Sequence, residues 1–199
     1  MPINMSVSYH NSSPLEELVK SRFKQAELPE EYRNAMMVRT QALELASHYG
    51  LDRQQVSTAA LLHNISRLIP EKDYIKFAEE YGTEILPEER SNPHLLHQKI
   101  SRILAVEEFN ISDKEVLNAI SCHTTLRKSA TLLDKIIFLA SKQNNQQLKN
   151  YSFSNRSVPL TEQTLNSAVY SCLFNLVNND KLSKSVHPWA QEALTELKQ

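Results

Sequence analysis

Apolar residues recur along almost the whole chain at the three-to-four-residue spacing of an amphipathic helix. This spacing predicts helices over 14–26, 29–49, 53–69, 71–81, 94–109, 112–125, 130–143, 161–178 and 188–198. The segments 83–93 and 144–159 are polar or interrupted by proline, and we expect them to be loops. No alternation of apolar and polar residues lasts beyond a few positions. The pattern therefore predicts an all-α, single-domain bundle of about eight or nine helices.

Several residues indicate where these helices begin, end and face the core. Asp52 and Ser112 each precede an apolar run and are expected to cap the helices that follow. Gly50 follows the second helix and is expected to end it. Within that helix, Met36 and Met37 are expected to belong to the core face.

Length and charge limit the classes of protein to which the chain can belong. With 199 residues, we expect one domain, in which 1–28 form an N-terminal extension with the first helix, 29–150 the main helical domain, and 151–199 helices packed on it. The net charge of −1 argues against a protein that coats nucleic acid. No segment has the pattern of a signal peptide or a membrane span, so we expect no membrane partner and a cytoplasmic location.

Glycine and cysteine usage excludes further classes. Gly50 and Gly82 are the only glycines, which excludes a Walker loop and a GxGxxG fingerprint, since both need several closely spaced glycines. Cys122 and Cys172 are far apart and form no CxxC pattern, so they suit a reducing compartment without a structural disulfide.

Three histidines lie in apolar helical stretches, near predicted helix ends. They are His63 in "LLHN", His97 in "LLHQ" and His123 in "SCHTT", with His94 as a weaker candidate. Buried imidazoles on separate helices are costly unless hydrogen bonds or a metal ion organise them. Both explanations remain open at this point.

Longer motifs resemble a known family. The segments "ALELASHYGLD", "AALLHN", "LLHQ", "EEFNISDKEVLNAISCHTTLR" and "LLDKIIFLAS" occur in order between residues 31 and 142. They resemble the HD-domain phosphohydrolases, and more closely the YqeK branch, whose members hydrolyse diadenosine tetraphosphate symmetrically into two ADP. The resemblance implies an all-α HD fold with a di-iron-type centre held by histidines and aspartates.

Three of the six metal ligands that the resemblance implies are absent. The expected first histidine and two expected aspartates are replaced by neutral residues, namely Asn34, Asn64 and Ser141. The histidines His63, His97 and His123 remain. Carboxylates hold hard cations and bridge paired ions, so a two-metal centre is not expected. We expect no cofactor, or at most a single divalent ion (Zn, Fe or Mn) at the three histidines.

Part of the substrate-facing motif is retained. The resemblance places Arg67, Thr124, Thr125 and Arg127 toward a phosphate, with Leu126 where the family usually has glycine. Lys99 and Lys128 are further candidate cations.

The sequence leaves three functions open. The first is a YqeK-like protein that has lost metal-dependent hydrolysis and binds an adenine nucleotide or dinucleotide, or serves a regulatory role. The second is an active phosphohydrolase that uses a reduced, histidine-only site. The third is a structural helical interaction domain.

The oligomeric state is open as well. The apolar residues of the predicted helix 161–178 can cover the core or form the seam of a homodimer; they are Val169, Tyr170, Leu173, Phe174 and Val177.

Overall fold

Ten α-helices occur in residues 13–142, 161–178 and 186–198, the ranges that the computed structural model describes. They are α1 (Pro14–Gln25), α2 (Pro29–Ala46), α3 (Arg53–Leu62), α4 (Tyr74–Glu80), α5 (Pro87–Ser91), α6 (His97–Glu107), α7 (Lys114–Cys122), α8 (Leu132–Lys142), α9 (Glu162–Asn178) and α10 (Pro188–Glu196). Short 3-10 turns lie at Ile65–Leu68, Glu71–Asp73 and Pro93–Leu96. These ranges contain no strand, and the predicted all-α class is confirmed. The helix beyond the expected eight or nine is α5, in the segment 83–93 predicted as a loop.

Capping side chains explain where the helices begin. Asp52 accepts hydrogen bonds from the backbone N–H groups of Gln54 and Gln55, as expected for the cap of α3. For α7 the prediction was wrong by one residue, because Asp113, not Ser112, accepts from the backbone N–H groups of the first turn. A carboxylate at this position also interacts favourably with the positive end of the helix.

Helix α3 is the central element of the core. All its residues from Val56 to Leu62 are buried, and it packs against α2 and α7. Helix α2 also packs on α8, and α6 packs on α7. Because α3 is buried on all sides, the residue that follows it, His63, also lies in the interior.

The core face of α2 differs from the expected one. Ala35, Val38, Ala42 and Leu45 are buried, whereas the side chain of Met37 is 37% exposed. The prediction that Met37 belongs to the core was therefore wrong. The buried positions follow a spacing of three, four and three, which places Met37 on the outer side of the helix.

The C-terminal helices pack onto this core: α9 lies against α8, and α10 lies against α9. Val169 and Leu173 of α9 are buried, while Phe174 is 44% exposed and lies in ring contact with Tyr170. No helix in the described parts of the chain is long and apolar enough to cross a membrane.

A buried polar network fastens α10 to the rest of the molecule. The carboxylate of Glu89 accepts hydrogen bonds from Lys99 Nζ at 2.8 Å, His187 Nε2 at 3.1 Å and the backbone N–H of Leu86 at 2.8 Å. His187 in turn caps α10 by accepting from the backbone N–H of Trp189. Lys99 also donates to the backbone carbonyl of Glu84. This lysine, a candidate phosphate-binding cation in the sequence, is therefore engaged by hydrogen bonds within the protein.

Candidate functional site

Three histidines meet where three helices begin or end. His63 directly follows α3, His123 directly follows α7, and His97 is the first residue of α6. All three side chains are buried. The imidazole of His123 lies between the other two, in edge-to-face contact with each at 5.0 Å between ring centroids. The structure thus brings together the three histidines that the sequence singled out.

Backbone hydrogen bonds fix the tautomer of each ring. Nδ1 of His63, His97 and His123 lies 2.7, 2.7 and 2.8 Å from the carbonyl oxygen three residues earlier. A carbonyl only accepts, so each Nδ1 carries the proton. In the neutral ring, Nε2 is then the nitrogen that carries the lone pair, and an Nδ1–H held by a backbone carbonyl is also found in histidines that bind metals.

The rings are held in the neutral form. Burial lowers the pKa of His63 to about 4 and that of His97 to about 3. Burial, followed by the neighbouring His63 and His97, holds the pKa of His123 well below its usual range. Neutral imidazole is the form that donates a lone pair to a ligand.

Two of these lone pairs face each other. Nε2 of His97 lies 3.3 Å from Nε2 of His123 and accepts a hydrogen bond of 2.8 Å from the hydroxyl of Thr124. Two hydrogen-bond acceptors at that distance do not attract each other unless a proton or a metal ion lies between them. Zn–N bonds of about 2.0 to 2.1 Å in a tetrahedral site separate two nitrogens by about 3.3 Å, so the pair has a spacing that one ion can bridge.

The residues that replace the expected carboxylates behave differently from one another. Asn64 follows His63, and its Oδ1 is buried with no hydrogen-bond donor among the described residues. Ser141 donates its hydroxyl to the carbonyl of His123 at 3.0 Å and also lies 2.8 Å from the carbonyl of Phe138. Its oxygen is therefore engaged with the backbone. Asn34 is half-buried on α2, one turn after Glu31.

The donor set does not fit a two-metal centre. Paired ions need bridging and charge-compensating carboxylates, and Asn34, Asn64 and Ser141 are all neutral. In the described ranges, no group of three or more histidine, cysteine, aspartate or glutamate side chains is arranged to hold a metal ion. What remains is the nitrogen pair of His97 and His123, with His63 beside it.

The residues predicted to face a phosphate lie in different surroundings. Thr124 contacts the histidine cluster by donating a hydrogen bond to Nε2 of His97. Thr125 is buried and is engaged with Gln98 and the carbonyl of Leu126. Their assignment to substrate binding stays a prediction.

Both predicted arginines are paired with carboxylates. Arg127 donates to the buried Asp134 at 2.8 Å, and Arg67 lies 3.7 Å from Glu31. Burial raises the pKa of Asp134, and Arg127 and the backbone N–H of Thr131 act in the opposite direction.

Two residues of the site had not been singled out in the sequence. Gln98 is fully buried and joins α6 to the turn after His123 by hydrogen bonds to Thr124 and Thr125. Lys142 ends α8, next to Ser141, and its charge lowers the pKa of all three histidines. The sequence signal that could have identified them is their position, since Gln98 follows His97 and Lys142 follows Ser141.

Comparison with known proteins agrees with this architecture. Residues 32–145, more than half of the chain, match the HD domain family. A crystal structure of a predicted HD superfamily hydrolase involved in NAD metabolism, from Clostridium acetobutylicum, has a TM-score of 0.80 and 26% sequence identity. The similarity covers 92% of this chain and 96% of that one.

Relatives by sequence point the same way. A Lactococcus lactis subsp. cremoris protein, described as an uncharacterized protein in the pepC 5′ region, is 38% identical over 147 residues, or 74% of either chain. The symmetrical bis(5′-nucleosyl)-tetraphosphatase of Halalkalibacterium halodurans is 32% identical over 161 residues, which cover 73% of this chain and 76% of that protein. The chain therefore belongs to the HD-domain family, and its relatives include symmetrical bis(5′-nucleosyl)-tetraphosphatases.

Proposed function

We propose that this chain binds an adenine nucleotide or dinucleoside polyphosphate at the cluster of His63, His97 and His123, and that it has lost the two-metal hydrolysis implied by its family resemblance. The kinship to bis(5′-nucleosyl)-tetraphosphatases supports the class of ligand. The neutral donor set supports the loss of the reaction.

The state of Ser141 is the observation that carries the proposal. In place of an anionic ligand, this position has a hydroxyl that is engaged with the carbonyls of His123 and Phe138. Asn64 supplies only a neutral amide oxygen. Two divalent ions held close together repel each other strongly unless carboxylates lie between and around them. The histidine cluster therefore lacks the negative charge that such a centre requires.

The remaining groups are suited to binding. The unsatisfied Oδ1 of Asn64 can accept a hydrogen bond from a hydroxyl or amino group, and so can Nε2 of His63 and of His123, whereas Nε2 of His97 already accepts from Thr124. Because these groups are already ordered by backbone hydrogen bonds, a ligand that pairs with them incurs little ordering entropy.

The first experiment measures binding and turnover on the same preparations. Diadenosine tetraphosphate at about one hundred times its Kd is expected to stabilise the wild type by about 2.7 kcal/mol, which raises Tm by about 5 to 10 °C. Release of ADP in the presence of Mn²⁺ or Fe²⁺ is expected to stay at background. Metal-dependent ADP release by the wild type would refute the loss of hydrolysis, and the absence of any nucleotide-induced shift would refute binding.

The triple variant Asn34→His, Asn64→Asp, Ser141→Asp tests the reason for inactivity. If the missing ligands are the cause, this variant gains tightly bound metal and ADP release. A folded triple variant that gains neither would show that the missing ligands are not the whole cause of the inactivity.

A second function is favoured by one observation, the 3.3 Å separation of the two Nε2 atoms. It is a single-ion phosphohydrolase in which His97 and His123, with His63 beside them, hold one divalent cation. This function predicts one equivalent of zinc, iron or manganese by elemental analysis. The variant His123→Ala should lose that metal together with activity, whereas the exposed His48→Ala should retain both. More than one equivalent of metal per wild-type chain would contradict both proposed functions.

A further inference from the structure

The hydroxyl of Thr124 contacts the ring nitrogen of His97 that carries the lone pair. Its Oγ1 lies 2.8 Å from Nε2 of His97. Because Nδ1 of this ring donates to the carbonyl of His94, 2.7 Å away, Nε2 of the neutral ring carries no proton, and the hydroxyl is the donor. Nε2 has a single lone pair, so His97 can accept from Thr124 or bind a metal ion, but it cannot do both.

Gln98 holds the backbone of Thr124 in place. The side chain of Gln98 is fully buried, and its Oε1 accepts a hydrogen bond of 3.2 Å from the backbone N–H of Thr124. Its Nε2 also donates to the hydroxyl of Thr125 at 3.0 Å, so one amide group holds both threonines of the turn. Since Gln98 directly follows His97 in the chain, the hydroxyl and the ring nitrogen are fixed relative to each other.

With its backbone held, Thr124 releases His97 by rotating its side chain. Threonine is β-branched, and its χ1 angle has few favourable values. His97 is buried and Thr124 is half-buried, so water has little access to replace the hydrogen bond that such a rotation breaks. A metal ion that binds Nε2 of His97 must break this bond first, and its affinity is lowered accordingly. The replaced carboxylates lower the charge of the site, whereas Thr124 engages a ligand that is still present.

We propose that Thr124 determines the selectivity of the histidine cluster, because its hydroxyl holds the lone pair of His97 against a metal ion. The ion concerned is a single divalent cation such as Zn²⁺ at the two Nε2 atoms of His97 and His123, which lie 3.3 Å apart. This inference rests on the proposed binding site at the cluster. It adds a reason why the cluster favours ligands that form hydrogen bonds over a cation.

Competition with a chromophoric zinc chelator measures the affinity of the chain for Zn²⁺. Thr124→Val keeps the shape of the side chain but removes the hydroxyl, and it should bind Zn²⁺ about tenfold more tightly than the wild type, the factor that corresponds to one buried hydrogen bond. Thr124→Ser keeps the hydroxyl and should bind Zn²⁺ within about threefold of the wild type. The control is Thr195→Val, which removes an exposed hydroxyl that donates to the carbonyl of Gln191 within α10 and should leave the affinity unchanged.

Long-range ¹H–¹⁵N NMR of the histidine side chains, recorded without metal, observes the hydrogen bond itself. The Nε2 resonance of His97 should shift in Thr124→Val, which lacks the donor, and should stay near its wild-type position in Thr124→Ser. An unchanged resonance in Thr124→Val would overturn the inference. Thermal melts show whether the variants fold, and Thr124→Ala, which also lacks the hydroxyl, takes the place of Thr124→Val if that variant does not fold.

The outcomes keep this inference distinct from the proposed function. If Thr124→Val binds Zn²⁺ no more tightly than the wild type, or binds none, the inference fails, while a nucleotide-induced rise in Tm of the wild type still supports the proposed function. If the wild type shows no such rise, the proposed nucleotide binding fails, and the zinc titration still decides the role of Thr124. An equal gain of affinity in Thr195→Val would show that the hydroxyl at His97 is not the cause, and it would also overturn the inference.

Discussion

The buried carboxylate of Glu89 allows a sharp test of what holds the C-terminal helix in place. The variant Glu89→Gln keeps the shape of the side chain but removes its charge, and it leaves the ammonium of Lys99 buried without a counter-charge. Lys99 Nζ and His187 Nε2 lie 2.8 and 3.1 Å from the carboxylate oxygens, and Glu89 is fully buried. Removing one partner of such a pair costs about 3 to 5 kcal/mol.

This loss is a large part of the stability of a typical domain, which is about 5 to 15 kcal/mol. At about 2 to 4 °C per kcal/mol for a chain of this size, Tm should fall by about 6 to 20 °C. Calorimetry or helix-monitored thermal melts measure the shift. The matched control is Glu80→Gln, which breaks an exposed pair with Lys76 and should cost less than about 1 kcal/mol.

A double variant identifies the origin of the loss. Glu89→Gln combined with Lys99→Met leaves no unpaired charge, so it should be more stable than Glu89→Gln alone. The buried charge pair does not have the role assigned to it if Glu89→Gln lowers stability no more than Glu80→Gln does. The same conclusion follows if the double variant loses as much stability as Glu89→Gln and Lys99→Met lose together.

Three further outcomes follow from local features. Hydrogen bonds and the charge of Lys99 hold the pKa of Glu89 below its usual value despite burial, so its contribution to stability is complete above about pH 4.5 and is lost as pH falls through the lowered pKa; the difference in Tm between the wild type and Glu89→Gln should therefore be constant above about pH 4.5 and shrink as pH falls below it. Burial raises the pKa of Cys122 well above its usual range and that of the half-buried Cys172 to about 11, so at pH 8 Cys122 should not react with a disulfide reagent until the protein unfolds, and Cys172 should react slowly; rapid modification of Cys122 in the native protein would contradict its burial. The exposed Glu27 has a φ of 58° at the end of α1, so Glu27→Gly should stabilise the protein by about 1 kcal/mol in chemical denaturation, whereas a loss of stability would refute the strain.

Much of the fold could be predicted because helical spacing and capping residues are local signals. The helices that end before His63 and His123 or begin at His97 lie within the ranges that the pattern predicted, although α3 ends at Leu62 rather than at 69, and Asp52 caps α3 as expected. The errors have local causes too. Met37 is apolar but lies outside the buried stripe, since the side of a helix that faces the core depends on what packs against it.

The site could be predicted only in part. The convergence of three histidines was accessible, because each lies in an apolar helix end. The pairing of Arg127 with Asp134 and of Lys99 with Glu89 was not, because an ion pair depends on how helices approach one another.

The bond between Glu89 and His187 has a consequence for the order in which the protein is built. The two residues are 98 positions apart in the chain, so His187 is synthesised well after Glu89. Until the ribosome has released that segment, Glu89 has only Lys99 and the backbone to satisfy it. Helix α6, which carries Lys99, therefore gains part of its support only after His187 has been synthesised, about a hundred residues after Glu89.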